Sequence, residues 1–409
     1  MRLTFCTTDG WNACGGVNTR LLRFLPALRA RGHDARVLLF PWSRPERCVT
    51  LPQLRASGVP VDVVYPPRYT EDAVRACLDH SRRFAPDIFI ANMVTSALHA
   101  AGWLRSSGIP TVGVLHNDDG EYRAKAELFA GADPFFRVSA LVAISRGLLR
   151  LAEPAPAGLA VRCIPYGVAL PAVRAHWDGR SVLRLVYHGR IVVEQKRILE
   201  TAAACVRIAR ATGRVEADFY GAGPAEADLV ALLARDDGGG RVRFLGPVDS
   251  ARVPEMLGAY HVAVLLSDYE GLGLSVLEGM ASGLVPVCHR TASGLPDLVS
   301  HGENGFFVDD RNASFDAAIQ RLLDEPGTWN RLAHNARATA ERDFSVESSL
   351  AAWEELFATL AASVRPHTRV PRLWRVPLHP VHPALRGEDH RYPGFARAVW
   401  RRLRFPRRA

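Results

Sequence analysis

Lysine is nearly missing from this 409-residue chain: Lys125 and Lys196 are the only two among 51 basic side chains. Against an arginine background, a retained lysine is itself mildly informative. The seven cysteines, Cys6, Cys14, Cys48, Cys77, Cys163, Cys205 and Cys288, stand singly and never as C-x-x-C. Neither a zinc site nor a disulfide framework is indicated. No apolar run reaches about 18 residues, which argues against a spanning helix. The first residues enter a strand pattern at once (Arg2 to Thr8), leaving no room for a secretory signal. The expectation is a cytoplasmic protein of two or three domains.

The net charge of +9 is unevenly placed. Residues 365–409 hold twelve arginines against Glu388 and Asp389, a net +10, whereas residues 1–364 hold 39 basic and 40 acidic side chains. The body is neutral and the basicity belongs to the tail. Its arginines are interleaved with Trp374, Tyr392, Phe395, Trp400 and Phe405. That mixture suits an anionic membrane surface at the inner face of the membrane. It reads equally as a solvated tail in an arginine-rich background. Nucleic-acid binding is disfavoured, because the basicity lies outside the folded domains and no base-reading motif accompanies it.

Periodicity predicts strands at 2–8, 35–40, 61–65, 87–92, 111–115, 140–144 and 161–164, with helices at 16–31, 71–84, 95–107 and 121–130. A proline-spotted stretch follows. The alternation then restarts with strands at 182–188, 215–220, 241–245, 261–267 and 284–288. Helices are predicted at 196–212, 225–235, 251–259, 275–282, 312–324, 327–342 and 345–363. The fold class is α/β, two doubly wound parallel-sheet domains facing across a cleft. The division is an N-terminal domain over 1–170, a hinge over 171–180 and a C-terminal domain over 181–345. A helix over 346–364 packs back on the N-terminal domain, and the tail over 365–409 follows.

The most informative stretch is Glu270-Gly-Leu-Gly-Leu-Ser-Val-Leu-Glu278. Glu270 falls at the carboxyl end of a strand, where open α/β sheets bind ligands, and Glu278 about one turn into the next helix. Gly271 and Gly273 let backbone N–H groups approach an anion or a hydroxyl. Taken alone, Ser275-Val-Leu-Glu278 also matches a capping box. Upstream, Arg190 and Lys196 flank one strand-to-helix loop, a fork and a point charge suited to a diphosphate. Alone, they read as surface ion pairs with Glu194 or Glu200.

Gly15-Gly16 precedes a helix and departs from G-x-G-x-x-G, so a dinucleotide site is unsupported. A tight turn is the plain alternative. His116 ends a strand, placed to hydrogen-bond a ligand hydroxyl or act as a base. Tyr220-Gly-Ala-Gly-Pro224 and Phe244-Leu-Gly-Pro-Val248 close the ligand edge of the second domain, or are ordinary turns. Asp118-Asp119 and Asp309-Asp310 lack a convincing D-x-D context, and no metal is expected.

Together these segments resemble the retaining glycosyltransferases of family 4, which have the GT-B fold. The resemblance rests on the E-x7-E pattern at Glu270 and Glu278, with Gly189-Arg190 and Lys196 upstream. Supporting segments are Met280-Ala-Ser-Gly-Leu-Val-Pro-Val287, His301-Gly-Glu-Asn-Gly-Phe306 and Ile164-Pro-Tyr-Gly-Val168. It is strong over 180–310, weaker over 1–170, and does not reach the tail. Tyr166 departs from the family's usual asparagine.

The resemblance implies transfer of a sugar from a UDP- or GDP-linked donor to a hydroxyl of a saccharide, lipid-linked or secondary-metabolite acceptor. It suggests a place in cell-surface polysaccharide or glycoconjugate synthesis. A GT-B sugar phosphorylase or sugar-nucleotide epimerase is the alternative. Arg190 and Lys196 would neutralise the diphosphate in place of a metal, Glu278 would hold the ribose, and Glu270 the donor sugar. Gly271, Leu272, Gly273 and Leu274 would give backbone contacts, Val248 would meet the base, and Gly189 and Gly221 would line the donor loops. Gly15 and Gly16 would close on the phosphate, and His116 would sit beside sugar and acceptor. No cofactor is implied beyond the nucleotide-sugar co-substrate.

Overall fold

A computed structural model describes residues 1–10, 16–65, 69–131, 133–153, 155–292, 294–363 and 368–392. Gly15 and the aromatic residues Phe395, Trp400 and Phe405 lie outside the described residues. Near-continuous apolar runs such as Ile88-Phe89-Ile90 and Val262-Ala-Val-Leu265 are buried along their whole length. Strands of that kind need cover on both faces, which favours parallel sheets sandwiched by helices.

The first sheet contains β1 (Arg2–Asp9), β2 (Asp34–Pro41), β3 (Val61–Val63), β4 (Ile88–Ile90), β5 (Thr111–Leu115), β6 (Ala140–Ala143) and β7 (Ala160–Cys163). Their order is β3-β2-β1-β4-β5-β6-β7. The second contains β8 (Leu183–His188), β9 (Val215–Tyr220), β10 (Val242–Gly246), β11 (Val262–Leu265), β12 (Val285–His289) and β13 (Phe306–Val308). Their order is β10-β9-β8-β11-β12-β13. All pairings are parallel; β1 runs beside β2 from Arg2 against Asp34 to Asp9 against Pro41. The order reverses between β1 and β4 and again between β8 and β11, and ligand crevices open at such reversals.

Helix starts follow local chemistry where the capping side chain is near in sequence. The Asp119 carboxylate accepts from the N–H groups of Glu121 and Tyr122 at 3.0 and 2.9 Å and so opens the helix Gly120–Ala130. Elsewhere the cap is distant. Asp9, at the end of β1, accepts from the N–H groups of Thr50 and Leu51 at 3.0 and 2.8 Å. This supports a helix over Thr50–Ala56 that its own proline-containing sequence does not announce. The helix expected over 95–107 is two, Thr95–His99 and Ala101–Ser106. The three-residue β13 is too short to show a period.

Residues 346–362 form a helix that lies on the first domain. Trp353 packs 5.8 Å from Phe24, and Glu354 pairs with Arg31 at 2.7 Å. The tail beyond it is not free over 368–392. Thr368 N–H donates to the Ser107 carbonyl at 3.1 Å, Arg82 to Pro371 at 2.9 Å, and Arg75 to Leu373 and Trp374 at 3.2 and 3.1 Å. Val370, Val376 and Leu385 are buried.

Near its end this strap meets the first residues of two helices, Thr70–Phe84 and Thr95–His99, and Lys125 within a third, Gly120–Ala130. Thr95 Oγ1 donates to Glu388 at 2.5 Å, Lys125 Nζ pairs with Glu388 at 2.8 Å and also with Glu121, and Thr70 N–H donates to the His390 carbonyl at 2.6 Å. Acidic side chains suit helix N-termini, whose N–H groups carry partial positive charge. The sequence's solvated or membrane-facing tail is therefore a docked strap over this stretch. Charge counting could not reveal it, because the partners lie hundreds of residues upstream. Among the described residues no helix is long and apolar enough to cross a membrane.

Candidate active site

The second sheet builds the site from the loops after β8 and β11, on either side of its reversal. Glu270 and Lys196 are both buried, at 5% and 9% exposure, and Lys196 Nζ meets Glu270 Oε1 at 2.5 Å. Lys196 thus pairs across the reversal and not with Glu194 or Glu200. It lies in the loop, since the following helix begins only at Ile198. Arg190 is exposed, and its Nη2 donates to Gln195 Oε1 at 2.5 Å. The Gln195 amide in turn donates to the Tyr269 carbonyl at 3.0 Å, which ties the two loops together.

Helix Leu274–Ala281 is entered through Gly273 at φ +90°, a left-handed conformation that favours glycine. No side chain caps this helix, so Ser275 does not form a capping box with Glu278. Glu278 is instead engaged outward. Its Oε2 meets His188 Nε2 at 3.1 Å, and its Oε1 meets Arg23 Nη1 of the first domain at 2.9 Å. Burial raises the Glu278 carboxyl pKa, but His188 and Arg23 outweigh it and leave the group below its ordinary value.

The first domain closes on this loop with main chain. A Cβ at Gly271 would stand 1.8 Å from the His116 carbonyl oxygen. A Cβ at Gly16 would stand 3.6 Å from Leu274 Cδ2. Leu272 is buried at 2% and its side chain belongs to the hydrophobic core. Gly189 and Gly221 lie back to back: Gly189 N–H donates to Tyr220 O at 3.0 Å, and a Cβ at Gly221 would meet Gly189 O. Val248 is half-buried in the loop after β10, packed beside the cluster of Val186 and Tyr260.

His116 is buried at the end of β5. Its Nε2 lies 2.6 Å from Asn92 Oδ1 and its Nδ1 2.5 Å from the Tyr166 hydroxyl. With the amide oxygen as acceptor, Nε2 carries the proton and Nδ1 accepts from Tyr166. Burial, then the charges of Arg20 and Lys125, hold this imidazole well below its ordinary value. Asn92 and Met93, at φ +47° and +57°, make a strained turn after β4.

The acidic doublets serve turns and surface pairs. Asp118 pairs with Arg123, Asp309 with Arg290, and Asp310 accepts from Asn312 N–H. Among the described residues no three His, Cys, Asp or Glu side chains form a metal-ligating group.

The structure thus gathers Lys196, Glu270, Glu278, Gly271 and His116 where the carboxyl edges of the two sheets meet, with Arg190 on the rim. Sequence reasoning missed Gln195, His188, Arg23, Tyr166 and Asn92 as participants. His188 carried one usable signal, its place directly before Gly189-Arg190. Arg23 carried none, being one arginine among many on a helix.

Comparison with known proteins bears on both halves. A family model described as Glycosyltransferase Family 4 matches residues 14–170, and one described as Glycosyl transferases group 1 matches residues 183–325. N-acetyl-alpha-D-glucosaminyl L-malate synthase of Bacillus anthracis is 33% identical over 141 residues, 34% of this chain and 36% of that one. The chain spans less than half the length of other relatives it matches locally. A GDP-mannose-dependent alpha-(1-6)-phosphatidylinositol dimannoside mannosyltransferase of Mycobacterium tuberculosis is 26% identical over 86% of this chain and 94% of its own length. Anabaena HepE, solved with UDP and glucose, superposes with a TM-score of 0.71 at 20% identity, covering 88% of this chain and 100% of its own. Matched by family models in both halves and built on the same two-sheet architecture, this chain belongs to the group 1, family 4 glycosyltransferases, with the GT-B fold.

Proposed function

We propose that this protein is a retaining glycosyltransferase. It moves a sugar from a UDP- or GDP-linked donor to a hydroxyl of a saccharide, lipid-linked or secondary-metabolite acceptor. The observation that carries the reading is the buried Lys196–Glu270 pair beneath the Gly271–His116 contact. It places a cation and a hydroxyl-accepting carboxylate side by side at the crevice of the second sheet. On this reading Lys196 and Arg190 take up the charge that the leaving diphosphate gains, and fixed cations lower that barrier without reorganising. Glu270 holds donor-sugar hydroxyls and Glu278 the ribose, for which Arg23 must yield. Both ring nitrogens of His116 are engaged inside the protein, so it serves as a fixed wall beside the sugar and not as a base.

We infer further that the protein acts in the cytoplasm, peripherally at the inner face of the membrane. The arginines after the docked strap supply attraction to anionic lipid, about 1 kcal/mol for each residue near the surface. Thermal unfolding against a panel of nucleoside-diphosphate sugars tests the donor assignment. Selective stabilisation by one of them, followed by release of its nucleoside diphosphate, is expected. No stabilisation by any UDP- or GDP-sugar would remove the reading.

A further inference from the structure

Arg20 lies one turn into the helix that begins at Gly16, and it is only 6% exposed. Three rings enclose its guanidinium carbon, Phe24 at 4.5 Å, Trp353 at 4.8 Å and Tyr166 at 5.4 Å. None of its three guanidinium nitrogens has a hydrogen-bond partner among the described residues, and no ion pair to it is found there. Burial lowers its pKa only to about 10, so the group is charged at neutral pH. An unpaired buried charge is destabilising, and ring faces offset only part of that. An unbranched apolar side chain would fill the same cage without the penalty.

The position suggests what the charge is for. Tyr166, whose ring faces Arg20, reaches His116 Nδ1 at 2.5 Å, and the His116 carbonyl abuts Gly271. Gly16, at the start of the same helix, approaches Leu274 of the loop that carries Glu270 and Glu278. Arg20, Tyr166 and His116 are all buried, and in surroundings of low dielectric a charge is screened less than in water. The groups facing His116 are Arg20 from the first helix, Tyr166 after β7, Asn92 after β4, and Tyr122 and Lys125 from helix Gly120–Ala130. Lys125 is neutralised by Glu121 and Glu388, which leaves Arg20 as the uncompensated cation.

We propose that Arg20 is a buried electrostatic element of the donor site. It adds positive potential where the leaving diphosphate gathers charge and keeps His116 a neutral imidazole held by Tyr166. The proposal rests on the glycosyltransferase reading for its first part, whereas the second stands without it.

The test compares Arg20→Met and Arg20→Lys with the wild type, all as full chains. Three quantities are measured: thermal unfolding, release of nucleoside diphosphate from UDP-glucose and GDP-mannose, and the His116 titration by NMR. Arg20→Met is expected to melt no lower than wild type, to turn over at least tenfold more slowly, and to let His116 protonate at higher pH. Arg20→Lys should recover most of the rate. Wild-type turnover in a stable Arg20→Met overturns the proposal. So does an Arg20→Met chain that fails to fold, because the cage would then need its cation. If the wild type acts on neither donor, the transferase reading fails for those donors; an unchanged His116 titration in Arg20→Met would then overturn what remains.

Discussion

Replacing Gly271 by alanine isolates the contact between the domains from the chemistry beside it. Gly271 does not have a positive φ, so alanine brings no backbone strain there. The effect is steric. The new methyl would lie 1.8 Å from the His116 carbonyl oxygen, 2.8 Å from its carbonyl carbon and 3.3 Å from Asn117 Cα, where ordinary contact begins at 3.4 Å. All three are backbone atoms, so no side chain can swing aside, and the domains must separate locally by about 1.6 Å to restore that contact. Misplacing reacting groups by about 1 Å costs on the order of a hundredfold in rate. We therefore expect Gly271→Ala to lower turnover of the nucleotide sugar by about two orders of magnitude. Nucleoside-diphosphate affinity should fall far less than turnover, because Lys196, Arg190 and Val248 belong to the second domain and only Gly16 closes on the phosphate from the first. Calorimetric binding beside steady-state turnover separates the two. Wild-type turnover in Gly271→Ala would show that this main-chain contact plays no part in the reacting geometry.

Lys196→Ala should reduce turnover by about two orders of magnitude or more, as loss of a charge-stabilising donor does; an unaffected rate constant takes Lys196 out of the mechanism. Arg23→Ala frees Glu278 from a partly screened pair worth about 1 kcal/mol, so nucleoside diphosphate should bind several-fold more tightly; weaker binding on titration would mean that Arg23 contacts the nucleotide itself. Tyr166→Phe leaves His116 Nδ1 buried without a partner, and urea unfolding should show a loss of about 1–3 kcal/mol; an unchanged midpoint would contradict the hydrogen bond. Burial depresses His99 to about 3 and His261 to about 4. Below about pH 6.5 the unfolded chain takes up protons that the folded one refuses. Stability is thus full above that pH and falls as pH drops toward 4, by about 1.4 kcal/mol per unit for each histidine. Denaturant midpoints at pH 7 and pH 5 should differ accordingly, and equal midpoints would refute the assignment.

The alternation of apolar strands with amphipathic helices placed Glu270 and His116 at strand ends and Lys196 beside a strand-to-helix loop because those features are local. What escaped reading was built across distance. Asp9 opens a helix some forty residues on, and Arg23 reaches Glu278 from 255 residues away. The cage of Arg20 draws rings from three separate segments. Tyr166 stood out as a departure from the family pattern. Its hydroxyl turns out to satisfy His116, a role that no spacing rule encodes.

The docked strap changes where the chain can be shortened. A cut at residue 365 would strip the apolar cover supplied by Val370, Val376 and Leu385. It would also leave Lys125 facing Glu121 alone and unpin the turn that holds Thr95. Any loss of lipid association or activity in such a truncate would mix damage to the first domain with loss of the arginines. A stop after Tyr392 keeps every one of those contacts while removing six arginines and no acidic residue. That is the boundary at which the charge can be taken away without dismantling what it is attached to.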